Sequence, residues 1–587
     1  MARVIWDGEK IVIDSTRLNI EEVESVSKKY DGRKLPMSTY YEFPRSKDSI
    51  KAIGAISGII MDDSFKKLYD IVIRKEEEKK KAFEEKIASY NFPETLYPFQ
   101  KQAVAEMIDI SSERNILLAS QPGCGKTCMA SIYLEKKENS FPCLIVCPAS
   151  LKVNWSKELE KWIPGHSICI VNGRDSYADS AVRASAEYSD IVIINYDILG
   201  YDDKEASKRE KERIAKAKEE GRKYRKAFIP VKGWAVEFSK NFKFATIILD
   251  ECQYIQSTSA IRSRAVIQVC ADKRIRKVFL SGTPFETKVR QFYNSCHILA
   301  PDLFPSEGEF LFRYCNPKKG YFGWTFDGVS NLDELRRKLS YFMIRHRKED
   351  VLTQLPPKQK IPIYFDMDAS VRKKYDDMEN ELLSKKDKIH QFTYLAEMKK
   401  VLMEVKKDIS CQYVRDMLEM EDKFVIFVYH VEMYEYLMEK FKDIAVGING
   451  GVSPLKRQSA VEKFQKDSKV RLFVGQISAA GTGLTLTASH ALGFAEWGQT
   501  PAQMEQASDR IHRLSQEADS CQVYYLIIKD TIDEGPLKLL ESHFSDIDKV
   551  LDGGTGDTLV DCNEMMVAYV KKKKMMKKKE AISIEYC

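Results

Sequence analysis

Twice along this chain of 587 residues, short segments that are apolar at nearly every position alternate with helical patterns, and this constrains the fold more than any other feature. The first set lies at 115–118, 144–147, 191–194, 246–249 and 277–280, and the second at 424–428, 471–474 and 523–527. A strand with one wet face alternates apolar and polar residues, whereas a strand covered on both faces has no polar side to show. Unbroken apolar strands separated by helices therefore indicate parallel sheets sandwiched between helices, and the fold class expected is α/β with two such lobes. At about 150 residues per domain, a chain of this length holds roughly four folding units.

The parts around the lobes read differently. Val4 to Trp6, Asp7-Gly8 and Ile11 to Ile13 form a hairpin pattern, because Asp-Gly tolerates the positive φ of a tight turn. Asn19 with Glu22 fits a capping box, 40–43 a strand, 49–60 a helix and 76–87 a solvated helix. The expected layout is a small α+β accessory domain at 1–90, a first lobe at 91–290, a helical protrusion and linker at 291–410, a second lobe at 411–555 and a basic tail at 556–587. With 44% apolar and 31% charged residues, wholesale disorder is excluded. The apolar runs are far shorter than the ~18 residues a membrane span needs. The charged N-terminus lacks a signal-peptide core, and thirteen cysteines without a C-x-x-C pair suggest reduced thiols. A soluble intracellular protein is expected, in the cytoplasm or nucleus.

Ser120-Gln121-Pro122-Gly123-Cys124-Gly125-Lys126-Thr127 follows the first strand of the first lobe and precedes a helix. Such a turn presents the backbone amides of Gly123 and Gly125 to a triphosphate, with Lys126 on the outer phosphates and Thr127 on Mg2+. Ser120 stands where the strict pattern has Gly. Cys124 is a small loop filler or an oxidation-sensitive thiol. The segment 246–249 runs into Asp250-Glu251, two carboxylates at the carboxyl edge of a buried strand. Asp250 there suits a metal ligand and Glu251 a base that orients water. Arg510 and Arg513, three apart, share a face if helical, and either suits an arginine finger worth about 10³ to 10⁵ in rate.

In this order, these pieces resemble superfamily two helicase-type ATPases of the Swi/Snf branch, from about Leu96 to Leu551. The resemblance implies two RecA-like lobes, ATP and Mg2+ as ligands, and DNA held mainly through its phosphates by a monomeric motor. Leu96-Tyr97-Pro98-Phe99-Gln100 resembles the adenine-reading element, with Gln100 on the base. The run Cys147 to Trp155 resembles a strand-contact motif, which assigns Ser150, Lys152, Asn154 and Trp155 to DNA. Asn195-Tyr196-Asp197 and Ser281-Gly282-Thr283-Pro284 assign Asn195, Ser281 and Thr283 likewise. The run Gly475 to Leu484 implies Ser478 and Thr482 on DNA and Gly483 on nucleotide, and Gln506 joins the nucleotide set. Arg345-His346-Arg347-Lys348-Glu349-Asp350-Val351 with Gln354-Leu355-Pro356-Pro357-Lys358 is characteristic of the branch. Gln253 replaces the branch's usual His, and Ser120-Gln121-Pro122 its usual Asp-Glu-Met.

Arg313-Tyr314-Cys315, Gly323-Trp324 and Ser330 to Leu335 resemble the annealing-helicase subgroup, whose HepA-related module the segments Lys28 to Tyr30 and Tyr41 to Pro44 also resemble. The function this implies is an ATP-driven translocase on duplex, forked or branched DNA that remodels or anneals it in fork or recombination repair. The alternatives are a strand-separating helicase and a DNA-binding scaffold with a decayed ATPase. The net charge of +6 is too balanced to decide the matter alone. The charged stretch 203–226 is a solvated helix or a DNA-backbone contact, and the lysines at 571–574 and 577–579 are a disordered end or a phosphate-binding arm.

Overall fold

The computed structural model describes residues 3–537 except 7–9, 17, 31, 37, 45, 221, 223–228, 286, 321–322, 353–354, 385–387, 481–483 and 514–515, together with 551 and 562–585. It forms two compact units, Met1–Ala105 and Glu106–Cys587.

In the first unit, a five-stranded sheet runs in the order Arg33–Lys34, Tyr40–Pro44, Lys10–Asp14, Arg3–Trp6, Ile60–Met61. Its alternation is one-sided: Ile11, Ile13, Tyr41 and Phe43 are buried against Val23, Ile50, Ile53, Phe65 and Leu68 of helices Ile20–Lys29, Lys47–Gly54 and Asp63–Ser89. The Asn19 side chain accepts from the Glu21 amide, but Glu22 accepts from the amide of Ser57 instead of closing a capping box. The Asp7-Gly8 turn lies outside the described residues.

The second unit contains both expected parallel sheets. The first has seven strands in the order Met343–Ile344, Ile116–Leu118, Arg276–Leu280, Thr246–Asp250, Cys143–Cys147, Ile191–Asn195, Ile168–Ile170. Cys143–Cys147, Ile191–Asn195 and Thr246–Asp250 are buried at every position, so their unbroken apolar character follows from helices on both faces. The strand order also places Arg276–Leu280 between Ile116–Leu118 and Thr246–Asp250, so the loops that follow these three strands leave from one edge.

The second sheet runs Lys358–Phe365, Cys521–Ile528, Ala491–Phe494, Phe424–Val428, Leu472–Gln476, Ala445–Ile448, again all parallel. The middle is largely helical, as expected, with Tyr293–Leu299, Glu307–Tyr314, Leu332–Leu339, Ala369–Ser384 and Lys388–Met420, and strands are set into it. Met343–Ile344 completes the first sheet, and Lys358–Phe365 pairs along all eight residues with Cys521–Ile528 as an edge of the second. Helices Ala369–Ser384 and Lys388–Met420 bury Tyr375, Leu382, Leu395 and Met398 in the second core. The link between sheets is thus only 345–357.

The expected tail also differs. Cys562–Glu585 is a helix, and Met566, Val567 and Val570 enter the second core while Lys573 pairs with Glu379 at 2.9 Å. Three apolar side chains on one helical stripe outweigh the lysine-rich composition. The charged stretch forms helix Lys204–Glu219, exposed except at a few positions such as Glu210 and Ala217. Among the described residues, no helix is long and apolar enough to cross a membrane, and no cluster of three or more His, Cys, Asp or Glu is arranged to hold a metal.

Candidate active site

The loop after Ile116–Leu118 turns twice through the left-handed region, at Gly123 (φ +91°) and Gly125 (φ +84°), which only glycine adopts without strain. Helix Lys126–Lys136 starts directly after Gly125, so its free amides face the loop's concavity. The Lys126 ammonium donates to the Ser120 carbonyl at 2.9 Å and the Gln121 carbonyl at 3.4 Å. Ser120 is fully buried, and its hydroxyl lies 3.0 Å from His346 Nδ1. The Gln121 side chain accepts from the Lys348 amide at 2.9 Å. The residues that depart from the familiar pattern thus tie the loop to the 345–357 link. Cys124 is wholly buried, and burial pushes its thiol up, which fits a loop filler.

At the end of Thr246–Asp250, the buried Asp250 carboxylate accepts from Trp155 Nε1 at 2.8 Å and from the Glu251 amide at 3.0 Å. Burial, followed by the charge of Glu251, raises its pKa to about 7. Glu251 sits at φ +52°, strained for a residue with a side chain, and this turns its carboxylate off the strand line. Gln253 Nε2 donates to Glu251 at 2.8 Å, and Gln253 Oε1 accepts from the Ser281 hydroxyl at 2.7 Å. Ser281 in turn accepts from the Thr283 amide at 3.0 Å, and the Gln506 amide reaches Thr283 Oγ1 at 3.4 Å. A polar chain therefore runs from the acidic pair to the second lobe.

Across an open cleft, Arg510 and Arg513 of the second lobe face Gly123, Gly125, Lys126, Thr127, Asp250 and Glu251 of the first. They lie beyond the end of helix Pro501–Ser508 and not on its face, which corrects the helical expectation. Burial lowers the Arg510 guanidinium to about 9, with Arg513 adding repulsion. Arg513 donates to Thr485 Oγ1 at 2.8 Å, and among the described residues its buried Nε has no hydrogen-bond partner. A buried donor without an acceptor, two crowded guanidiniums and an ammonium resting on its own loop all fit a polyanion. The Thr127 hydroxyl and Asp250 carboxylate supply the hard oxygen donors that Mg2+ takes.

The rest of the nucleotide set is placed less directly. Gln506 contacts Thr283 and does not line the cleft. Gln100 belongs to the first unit, where its Oε1 accepts from the Tyr97 amide at 3.1 Å. Gly483 and Thr482 lie outside the described residues.

Several residues assigned to DNA by resemblance have partners within the protein. Lys152 is buried, with its ammonium on the Val171 carbonyl at 3.0 Å and Asn172 Oδ1 at 2.6 Å. Trp155 is fully buried and braces Asp250. Asn154 lines the cleft with Glu158, and Asn195, Ser281 and Thr283 are buried. Ser150 is half-buried and Ser478 exposed.

The sequence motifs also understated the link. Lys348 lies 2.7 Å from Asp509, the neighbour of Arg510, and its Cε packs 3.2 Å from the position a Cβ on Gly123 would take. Lys358 pairs with Asp509 at 3.0 Å and with Glu505. The link thereby touches the phosphate loop on one side and the arginine-bearing turn on the other.

A family model described as SNF2-related domain matches residues 99–414, and one described as helicase conserved C-terminal domain matches 405–515. The chain belongs to the SNF2-related family. Other SNF2-related proteins resemble it over most of its length. The "DNA annealing helicase and endonuclease ZRANB3" of Homo sapiens is 31% identical over 458 residues, covering 75% of this chain and 39% of that protein. The "SWI/SNF-related matrix-associated actin-dependent regulator of chromatin subfamily A-like protein 1" of Xenopus tropicalis is 28% identical over 455 residues, 75% of this chain and 43% of that protein. The chain thus spans about two-fifths of the length of these relatives. A solved structure, "Sulfolobus solfataricus SWI2/SNF2 ATPase core in complex with dsDNA", is 21% identical, covering 79% of this chain and 94% of that one, with a TM-score of 0.36.

Proposed function

We propose that this SNF2-related chain is a DNA-stimulated ATPase that moves on duplex or branched DNA and remodels or rewinds it, as fork and recombination repair require. The observation that carries the reading is the divided cleft: a glycine cradle, Lys126 and an acidic pair on one lobe, two arginines on the other. In this reading Gly123, Gly125 and Lys126 bind the ATP phosphates. Thr127 and Asp250 would hold Mg2+, whose charge would offset the negative charge that builds on the phosphoryl oxygens. Glu251, aimed by its backbone and by Gln253, orients the attacking water. Arg510 and Arg513 stabilise the transferring phosphoryl group. Because the site is complete only when both walls meet, ATP favours a closed pair of lobes and hydrolysis releases it, which is the basis of a stepping motor.

The chain Glu251–Gln253–Ser281–Thr283–Gln506 supports coupling of the water-orienting group to the second lobe. The annealing direction draws its support from the relatives named DNA annealing helicase, over the shared two-fifths. The deciding experiment measures ATP turnover of the purified chain without DNA and with single-stranded, duplex and forked DNA, then scores rewinding against unwinding on forks. Stimulation by duplex with net rewinding is expected. Turnover indifferent to every DNA rejects the motor.

A further inference from the structure

A small hairpin of the first lobe carries the chemistry of a platform for unpaired nucleotides. Strands Lys318–Gly320 and Gly323–Thr325 pair antiparallel, with Lys319 opposite Trp324 and Lys318 opposite Thr325, and all six residues are exposed. So small a hairpin is marginal by itself, and its root is correspondingly braced. Lys288 donates to Asp327 at 2.9 Å, the Ser330 amide donates to the Tyr314 carbonyl at 3.0 Å, and Asn331 Nδ2 donates to the Arg313 carbonyl at 2.7 Å. Lys288 is only five residues beyond Thr283, so the hairpin is anchored close in sequence to the polar chain of the active site.

On this rigid root stand two large rings left half in water. Trp324 is 49% exposed, and Phe312 of helix Glu307–Tyr314 is 50% exposed. Their centroids are 5.2 Å apart at 68°, and Phe326 meets Phe312 at 5.2 Å and 75°. Directly opposed residues of an antiparallel pair share a face, so Lys319 and Trp324 stand on one face of the hairpin and Lys318 with Thr325 on the other. The distribution of charge is selective. At the root, Lys288 is paired with Asp327, and Arg313 and Lys338 are paired with Glu334. On the hairpin itself, neither Lys318 nor Lys319 has an ion-pair partner among the described residues. Protein-binding patches are depleted of lysine at their apolar centre, whereas an aromatic ring with an unpaired lysine on its own face suits a base and its phosphate.

We propose that Trp324, Phe312 and Lys319 form a binding site for unpaired DNA, with a base stacked on Trp324, an adjoining phosphate against Lys319, and Lys318 on the far face of the hairpin adding to the positive field. The site rests on the DNA-motor reading above and gives it a sensor for the single-stranded arms that distinguish a fork from a duplex.

The test uses the full chain and two variants, Trp324→Ala and the double change Lys318→Ala with Lys319→Ala, which touches only exposed residues. Anisotropy at fixed salt compares a fork bearing unpaired oligo-dT arms with a blunt duplex of equal length, alongside duplex-stimulated ATPase. Trp324→Ala is expected to weaken fork binding about tenfold, with duplex binding and duplex-stimulated turnover within twofold of wild type. The lysine variant should weaken fork binding and flatten its salt dependence by about one to two charges. If both variants bind the fork like wild type while duplex still drives turnover, the platform is refuted and the motor stands. An equal loss on fork and duplex refutes base stacking in favour of a general phosphate contact. If wild-type turnover ignores duplex altogether, the motor reading itself falls. Wild-type affinity for the dT fork no greater than for the duplex also overturns the platform, whatever the variants do.

Discussion

At the scale of single residues, Lys126 and Trp155 separate chemistry from support. Lys126 donates to two carbonyls of its own loop, groups that also have solvent within reach in an open cleft. Lys126→Ala should therefore leave the melting temperature within a degree or two while cutting ATP turnover by about 10² to 10³, as loss of a charge-stabilising donor does. Steady-state kinetics and a thermal melt on one preparation check both halves, and a collapsed melt would make the loop structural. Trp155 makes the opposite case. Its indole donates to the most deeply buried carboxylate of the site, 95 positions along the chain. Trp155→Phe keeps most of the ring volume but removes that donor, which costs about 1 to 3 kcal/mol for a buried acceptor left short of a partner. Turnover should fall several-fold, with duplex affinity unchanged. A selective loss of DNA affinity instead would favour a strand-contact role for Trp155.

At the scale of elements, the short link 345–357 matters more than its length suggests, because Lys348 and Lys358 at its ends meet on Asp509. Burial opposes the Asp509 charge, but the two ammonium groups outweigh it and hold the carboxyl well below its usual range. A carboxylate depressed on folding contributes stability above its unfolded pKa of about 3.9 and loses it only as pH falls through the lower folded value. Asp509→Asn should thus cost about 3 to 5 kcal/mol, as removal of one partner of a buried pair does, and the loss should be equal at pH 5 and pH 8. Urea unfolding at the two pH values measures it; a loss present only at pH 8 would deny that Asp509 is charged throughout. The C-terminal helix offers a second test. Removing 562–585 uncovers the core against Met566, Val567 and Val570, at about 1.5 to 3 kcal/mol per side chain. The truncated chain should melt markedly lower, whereas Lys571→Gln with Lys572→Gln, which are exposed, should melt like wild type.

At the scale of the whole molecule, what was legible in the sequence was what short stretches decide for themselves. Two-sided burial leaves an unbroken apolar word, so both sheets could be read, and Lys126, Thr127, Asp250 and Glu251 stand at fixed offsets from such words. Lys358–Phe365 escaped because an edge strand is only half covered and here carries Lys, Pro and Tyr. The partners of Lys152 and Trp155 were not legible because a polar side chain is satisfied by groups distant in sequence, which no local pattern records. The division of the cleft between lobes has the largest consequence, since the phosphate cradle belongs wholly to one lobe and the guanidiniums wholly to the other. Replacing both Arg510 and Arg513 by Ala should therefore keep ATP affinity within a few-fold, while turnover falls by about 10³ or more. A ligand shifts an equilibrium only by its differential affinity for the two states, and with the arginines gone ATP no longer prefers the closed one. Small-angle scattering should then show ATP compacting the wild-type chain and leaving the double variant unchanged. Equal compaction in both would place the coupling elsewhere, in the chain of hydrogen bonds through Gln253, Ser281 and Gln506.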